Sequence, residues 1–572
     1  MKQFFLGALC TAFALSTFPA SAVAQEQSAP QDVYAETVNV EIVNIEVYVT
    51  DKAGNPIRDL SEADFEMLAD GKVVPISNFY TVKSPIAGAE GGIDAGPEEA
   101  EVAEAPEPEP VAEEAQEVPP DQRLHVVVYI DNFNLTPFKR NRVLVELRQF
   151  LRNFLSPDDK IMLATYDREL NLRHPFTARP ENINRALIEI EDISAQRIHR
   201  VRERVDLFNQ IEEAETVTEA LMFARNYAGS VRNDTSFTID ALRSIVDNLA
   251  GSRGRKAIIY VSEGLPMIAG EDIFYQVNQK WREQLSLNEA MEYDMSSRYR
   301  ELANQANANR VSFYTIDARG LTVLAQGTVE TELKGQAGER TFIDSVQNSN
   351  LQSTVQMLAE RTGGRAIINA NKYLPDLRKI AVDFSNFYSL GYALPDVGDG
   401  RYHSIEIRLR DKALRKKYSI RHRDGFRAKT VDTRMHDGTL SALNLDLQDN
   451  PLGVRLEFGP PQLTPAGNLY KVPMLLRIPM PSLAIIPQSG LHRGKLRLWF
   501  AAKDEKDELS DVAELEIPID IREEDWERNK DKEFLYRLNL DMEPGYHDIA
   551  LGIRDTIGAQ SSFIRRGIPV GG

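Results

Sequence analysis

Apolar residues fall along this chain in three regimes. Around residues 38–49 they alternate: Val38, Val40 and Ile42, then Val43, Ile45, Val47 and Val49. That is the period-2 spacing of a half-buried strand, and the phase slip between Ile42 and Val43 predicts a bulge or bend. Glu66 to Leu68, the Asp70-Gly71 turn and Val73 to Phe79 then mark a hairpin. From residue 124 the pattern becomes short unbroken apolar runs separated by helical stripes. The densest run, LHVVVYIDNFNL at 124–135, reads as a strand buried on both faces with Asp131 at its carboxyl end. Runs at 161–166, 256–262, 311–316 and 365–369 repeat the signal. Between them, Val143, Leu147, Phe150, Leu151 and Phe154 predict a helix over 137–155, and Ile183, Ala186, Leu187 and Ile190 predict a second. A charged helical segment over 192–227, a helix over 236–249, a polar helical insertion over 274–305 and helices over 351–361 and 373–384 follow. Strands alternating with helices in this way predict a doubly wound α/β domain, Rossmann-like, with a mainly parallel sheet. After residue 387 strands follow one another directly, and from Ser441 the pattern is all β. Alternation at Leu515, Ile517, Ile519 and Ile521 and at Ile549, Leu551 and Ile553 predicts an Ig-like β-sandwich.

Composition sets boundaries on this plan. Residues 1–24 carry Lys2, an uncharged apolar core and the A-x-A site Ala22-Val23-Ala24, and read as a secretory signal peptide. Its core is too short to span a bilayer. The single cysteine, Cys10, lies inside it, so the exported chain has no disulfide. Residues 85–120 are rich in Glu, Pro and Ala and read as a spacer. The expected organisation is a signal peptide (1–24), an N-terminal β segment (33–84), the acidic linker (85–120), the α/β domain (121–385), a second β segment (386–427) and the sandwich (440–572). No later stretch is long enough to cross a membrane, so the expected location is periplasmic or secreted. The net charge of -19 argues against a nucleic-acid partner.

Enzyme chemistry finds little foothold. The eight histidines are scattered, none in H-E-x-x-H, and there is no G-x-S-x-G. The run Arg410, Lys412, Arg415, Lys416, Lys417, Arg421, Arg423 and Arg427 reads as a charged outer strand face. In an open parallel sheet, ligands meet the carboxyl ends of the strands, which draws attention to Asp131.

VVVYID at 126–131, KAIIYVSEG at 256–264 and VSFYTIDARG at 311–320 resemble the core strands of a von Willebrand factor A domain. The flanks at 45–72 and 388–426 resemble segments found around such domains in bacterial secreted VWFA-related proteins. The resemblance implies that the two β segments pair into one module with the A domain inserted between them. It also implies a divalent-cation site at the carboxyl edge, built from Asp-x-Ser-x-Ser, a Thr at a later helix start and a further Asp. Here Asp131 matches, Phe133 and Leu135 stand at the two Ser positions, Ser236 falls at the Thr position and Glu263 at the last acid. The expected metal set is therefore a degenerate one, Asp131, Ser236 and Glu263, with Mg²⁺ as the ion if any is held; no other cofactor is expected. Asn132, Phe133, Asn134 and Thr235 are the expected partner-binding residues at the same edge. The functional expectation is an exported, non-enzymatic adhesion or scaffold protein that binds protein partners in the cell envelope or outside the cell. The alternative is an envelope enzyme, hydrolase-like, or its accessory subunit.

Overall fold

A computed structural model describes residues 42–83, 123–153, 159–282, 285–321, 337–394, 398–465 and 467–571. The signal segment, Val38, Val40 and the acidic linker lie outside the described residues, as do Phe154 and the helix end predicted at 154–155. The described residues fall into two compact units, 42–394 with 398–429, and 430–571.

The first unit begins with β1 (Ile42–Thr50), β2 (Phe65–Ala69), β3 (Lys72–Val74) and β4 (Asn78–Lys83). In β1 the residues Val43, Ile45 and Val47 are buried and Ile42, Asn44 and Glu46 less so, as alternation requires, until Tyr48 and Val49 are both buried near its end. β2 and β3 are joined through Asp70 and Gly71, both at positive φ (48° and 76°), the two-residue turn whose twist matches a tight hairpin.

The chain then builds a six-stranded sheet from β5 (Leu124–Asp131), β6 (Lys160–Tyr166), β7 (Leu170–Thr177), β8 (Arg255–Ser262), β9 (Val311–Asp317) and β10 (Ala366–Ile367). The order is β10-β9-β8-β5-β6-β7, parallel except for β7. β5 is buried at every position because it lies mid-sheet with both faces covered. β7 is an antiparallel edge strand that the apolar pattern did not mark, since none of its residues is fully buried. Two helical boundaries also differ from expectation. Residues 192–249 form two helices, Arg197–Glu213 and the long Val217–Asn248, the latter capped by Thr216, which accepts from the Glu219 N–H. Residues 274–305 are not an insertion. The Glu271–Trp281, Leu285–Ala290 and Ser296–Ala308 helices form the crossover between β8 and β9, and Leu207, Ile211, Ala224, Ile273 and Phe274 share an apolar cluster there.

The chain returns through β11 (Asn386–Ala393), β12 (Tyr402–Leu409), β13 (Ser419–Arg421) and β14 (Gly425–Arg427). β1 and β4 flank β11, and β2 pairs with β12, so two four-stranded sheets (β13-β1-β11-β4 and β14-β12-β2-β3) close around one core of Ile45, Val47, Phe65, Met67, Leu390 and Ile407. Part of the basic run is spent inside this unit and is not an outer face. Arg421 pairs with buried Asp383 at 2.7 Å and Arg423, itself buried, donates to the Asn44 carbonyl at 2.7 Å; Arg408, just ahead of the run, pairs with Glu66 at 2.7 Å. Lys412, Lys416 and Lys417 remain exposed.

The second unit is not all β from Ser441. It opens with the Val431–Leu445 helix and carries a further helix, Glu523–Asn529. Two antiparallel sheets share a core that runs from Val472, Met474 and Leu476 on one to Leu498, Ile517 and Leu551 on the other. The first helix covers the far side of the second sheet, where Met435 and Leu443 meet Trp499.

Candidate functional site at the carboxyl edge of the sheet

β5 and β8 are neighbours, but the chain leaves them in opposite directions, to β6 on one side and β9 on the other. Such a switch point opens a crevice at the carboxyl ends. Asp131 and Glu263 both lie there, at the ends of adjacent parallel strands.

Neither carboxylate is left open. Asp131 is fully buried; its Oδ2 accepts from the Tyr260 hydroxyl at 2.5 Å, the Ser262 hydroxyl at 3.1 Å and Asn134 Nδ2 at 3.0 Å. Its Oδ1 accepts from the Asn134 backbone N–H at 3.2 Å, so Asp131 caps the short helical turn Asn132–Asn134. Burial pushes its carboxyl above the ordinary range, against the pull of these hydrogen bonds. Glu263 is 2 % exposed. Its Oε1 accepts from the Thr136 N–H at 2.7 Å and hydroxyl at 2.6 Å, while Oε2 meets Lys139 Nζ at 3.0 Å and Arg197 Nε at 3.2 Å. Burial alone would raise this carboxyl; Arg197, Lys139 and Thr136 together hold it below its ordinary value.

The other expected residues divide. Asn134 is central: besides Asp131 it reaches the Thr238 hydroxyl at 3.4 Å, and its carbonyl accepts from the Glu263 N–H at 3.2 Å. Thr235 is buried and lines the cleft beside it. Phe133 stands half-buried, its ring under the Arg168 guanidinium at 5.2 Å. Asn132 turns inward instead of toward a partner. It donates to the Ser194 carbonyl at 2.8 Å and accepts from Arg140 Nη1 at 2.6 Å. Ser236 does not join the network; it lies in the middle of the long helix, and the hydroxyl that faces Asn134 is Thr238, two residues further on.

The functional expectation missed the cations. Arg140 is fully buried and meets only uncharged acceptors: Asn132, Asn141 and the carbonyls of Glu191 and Ile193. The Arg197–Glu213 helix supplies three more. Arg197, Arg200 and Arg204 stand at i, i+3 and i+7, which puts them on one face. Each meets an acid from a different element: Glu263, Asp234, and Asp272 at 2.5 Å. Further along, Leu207 and Ile211 continue that inward face. The arginine spacing was the available signal, masked by the helix's overall polarity.

The donor set does not fit a divalent metal ion. A hard cation needs about six oxygens. Here Phe133 and Leu135 offer none, Asp131 is occupied by hydroxyl and amide donors, and a lysine and an arginine already balance Glu263. Among the described residues no group of three or more His, Cys, Asp or Glu could hold a metal.

No family model matches this chain, and no curated protein matches it. Among solved structures, the conserved hypothetical protein BatB from Bacteroides thetaiotaomicron is 12 % identical, with 46 % of this chain and 97 % of that one covered and a TM-score of 0.24. The manganese-loaded TRAP protein of Plasmodium vivax is 9 % identical, over 54 % of this chain and 94 % of that one, with a TM-score of 0.22. A von Willebrand factor type A protein from Catenulispora acidiphila is 9 % identical, over 79 % and 66 %, with a TM-score of 0.18. At these scores the likenesses add nothing to the strand order itself.

Proposed function

We propose that this is an exported, non-enzymatic adhesion or scaffold protein whose α/β domain docks a protein partner at the carboxyl edge of its sheet, without a metal ion. One observation carries the reading. The Arg197–Glu213 helix turns Arg197, Arg200 and Arg204 inward and leaves Ile198, Val201 and Val205 outward, 42 %, 47 % and 51 % exposed. A helix lying on its own domain ordinarily does the reverse. Phe138, 78 % exposed in the first turn after Thr136, and Phe237, 64 % exposed beside Thr238, add apolar surface to the same edge. Exposed apolar side chains at i, i+3 and i+7 along one helix face are the usual mark of an interface.

An envelope enzyme gains no support from this edge, because neither Asp131 nor Glu263 has an unoccupied oxygen to serve as a base. Export rests on residues 1–24, which lie outside the described residues. Among the described residues no helix is long and apolar enough to cross a membrane.

The test uses the full chain in its native envelope, with a photo-crosslinking side chain at Val201 and, as control, at Leu463 in the other unit. The expected result is a discrete adduct from position 201 alone, lost on adding Ile198→Asp and Val205→Asp. Identical adducts from both positions, or none from 201, would contradict the reading.

A further inference from the structure

The opposite, amino edge of the same sheet carries a different arrangement. There the starts of β8 and β9 meet β1 and β11 of the β module. Arg255 and Lys256 open β8, and Arg310 immediately precedes β9. Arg423 reaches in from the loop between β13 and β14. Four cations thus gather around one nearby carboxylate, Glu46, whose closest partner is Arg423 at 3.9 Å. The neighbouring buried acid, Asp383, is already taken by Arg365 and Arg421.

The cations are poorly compensated. Lys256 is 5 % exposed and its ammonium meets a single neutral acceptor, the Ser252 carbonyl at 2.7 Å. Arg423 is 5 % exposed and its Nε has no partner. Arg255 spends Nη1 on the Phe384 carbonyl at 2.7 Å and stacks on Phe387 at 4.0 Å. The Arg310 guanidinium forms no hydrogen bond or ion pair among the described residues; only its backbone N–H is engaged, by the Asn307 carbonyl at 3.2 Å. Buried charge of one sign is costly unless something answers it.

A polar cavity of ≈ 110 Å³ lies beside two of these cations, Arg255 and Arg310, and is lined with them by Glu46, Asn44 and Ser389. That is room for about three or four waters, or for one tetrahedral ion. Ser389 is 2 % exposed and its hydroxyl makes no hydrogen bond among the described residues; the buried Asn44 Oδ1 also has no partner. An amide can turn over to offer its N–H groups instead. The backbone points the same way. Arg310 sits at φ +55° just after the Ser296–Ala308 helix, a left-handed position where glycine or asparagine is usual. An arginine is kept where its backbone is strained and its side chain has no partner in the fold, a combination that marks functional positions.

We propose that this cavity binds one small tetrahedral oxyanion, inorganic phosphate or sulfate, held by Arg255 and Arg310 with the Ser389 hydroxyl and the Asn44 amide. The ion supplies the missing negative charge and ties the β module to the base of the α/β domain. This assignment does not depend on the function proposed for the carboxyl edge.

The experiment is calorimetric titration of the full chain with sodium phosphate and, separately, sodium sulfate, against chloride at matched ionic strength. Glycerol phosphate forms a third arm that separates a free ion from an ester. Melting curves are recorded alongside, on wild type, Arg310→Gly and Ser389→Ala. Glycine suits the left-handed backbone, so Arg310→Gly removes the charge without endangering the fold. The expected result is saturable binding of one phosphate or sulfate per chain, weakened at least tenfold in Arg310→Gly and severalfold in Ser389→Ala, with glycerol phosphate weaker than phosphate. In ion-free buffer Arg310→Gly is expected to melt no lower than wild type. Non-saturable binding by wild type, equal binding by wild type and Arg310→Gly, or preference for the ester would each overturn the assignment.

Discussion

At the carboxyl edge of the six-stranded sheet, Glu263 meets Lys139 and Arg197, Asp234 meets Arg200, and Asp272 meets Arg204. At the amino edge, Arg255, Lys256, Arg310 and Arg423 share Glu46. Both edges bury charge, but at the carboxyl edge buried Glu263 and Asp272 each have their own cation and Arg140 alone lacks an acid, whereas at the amino edge four cations have one acid between them. The edge where open α/β sheets hold ligands has closed on itself and offers hydrocarbon to the outside. The edge where no ligand is expected has an excess of cations, an unpaired hydroxyl and a cavity. What a fold makes available and what a sequence uses are therefore separate questions, and the count of charges against partners answers the second.

Substitutions break this contrast with graded effects. Glu263→Ala strips two cations of their partner and removes the acceptor of the Thr136 N–H. Its cost is expected to be the largest, about 3 kcal/mol in urea denaturation of the first unit. Because the Glu263 carboxyl is held below its ordinary value, its contribution is present above the ordinary carboxylate range and fades as pH falls below it. Wild type and Glu263→Ala should therefore converge in acid. Arg140→Ala removes the donor to Asn132 Oδ1 and to the Ile193 carbonyl and one of two donors to the Glu191 carbonyl, for a loss of about 2 kcal/mol.

The amino edge should respond with the opposite sign. Lys256→Met removes an ammonium that burial holds well below its ordinary value and keeps the apolar stem, so stability near neutral pH should rise by about 1 kcal/mol. The gain should shrink as pH approaches the ordinary lysine range, where the unfolded chain also gives up the proton. The smallest effect is expected at Asp131→Asn. The Tyr260 and Ser262 hydroxyls can turn to accept from the new amide, so the change should stay within about 1 kcal/mol. Since burial raises the Asp131 carboxyl, wild type should lose stability relative to this variant as pH rises through the mildly acidic range.

Much of the sheet was legible because burial on both faces leaves an unbroken apolar run. β5, β8 and β9 stood out for that reason. β7 escaped because an edge strand has no such requirement, and Leu172, Arg173 and Pro175 look like loop. The meeting of Asp131 and Glu263 could be foreseen from two acids ending two apolar runs. Their partners could not. Arg197 lies on a helix remote in sequence from either strand, and an ion pair leaves no periodic trace. Lys256 looked like the first residue of a strand; Arg255 is its neighbour in sequence, but nothing local betrays that Arg310 and Arg423 gather beside it. Counting back from Ala241-Leu242 puts Ser236 at an expected helix start, but Thr216 begins that helix much earlier and leaves Ser236 in its middle.

The central claim is that the carboxyl edge is neutralised by its own side chains and needs no metal. Calorimetric titration of the full chain with Mn²⁺ and Mg²⁺ at neutral pH tests it most directly. The expected result is no saturable binding and an unchanged melting temperature; one tightly bound ion per chain, lost in Asp131→Asn, would contradict it.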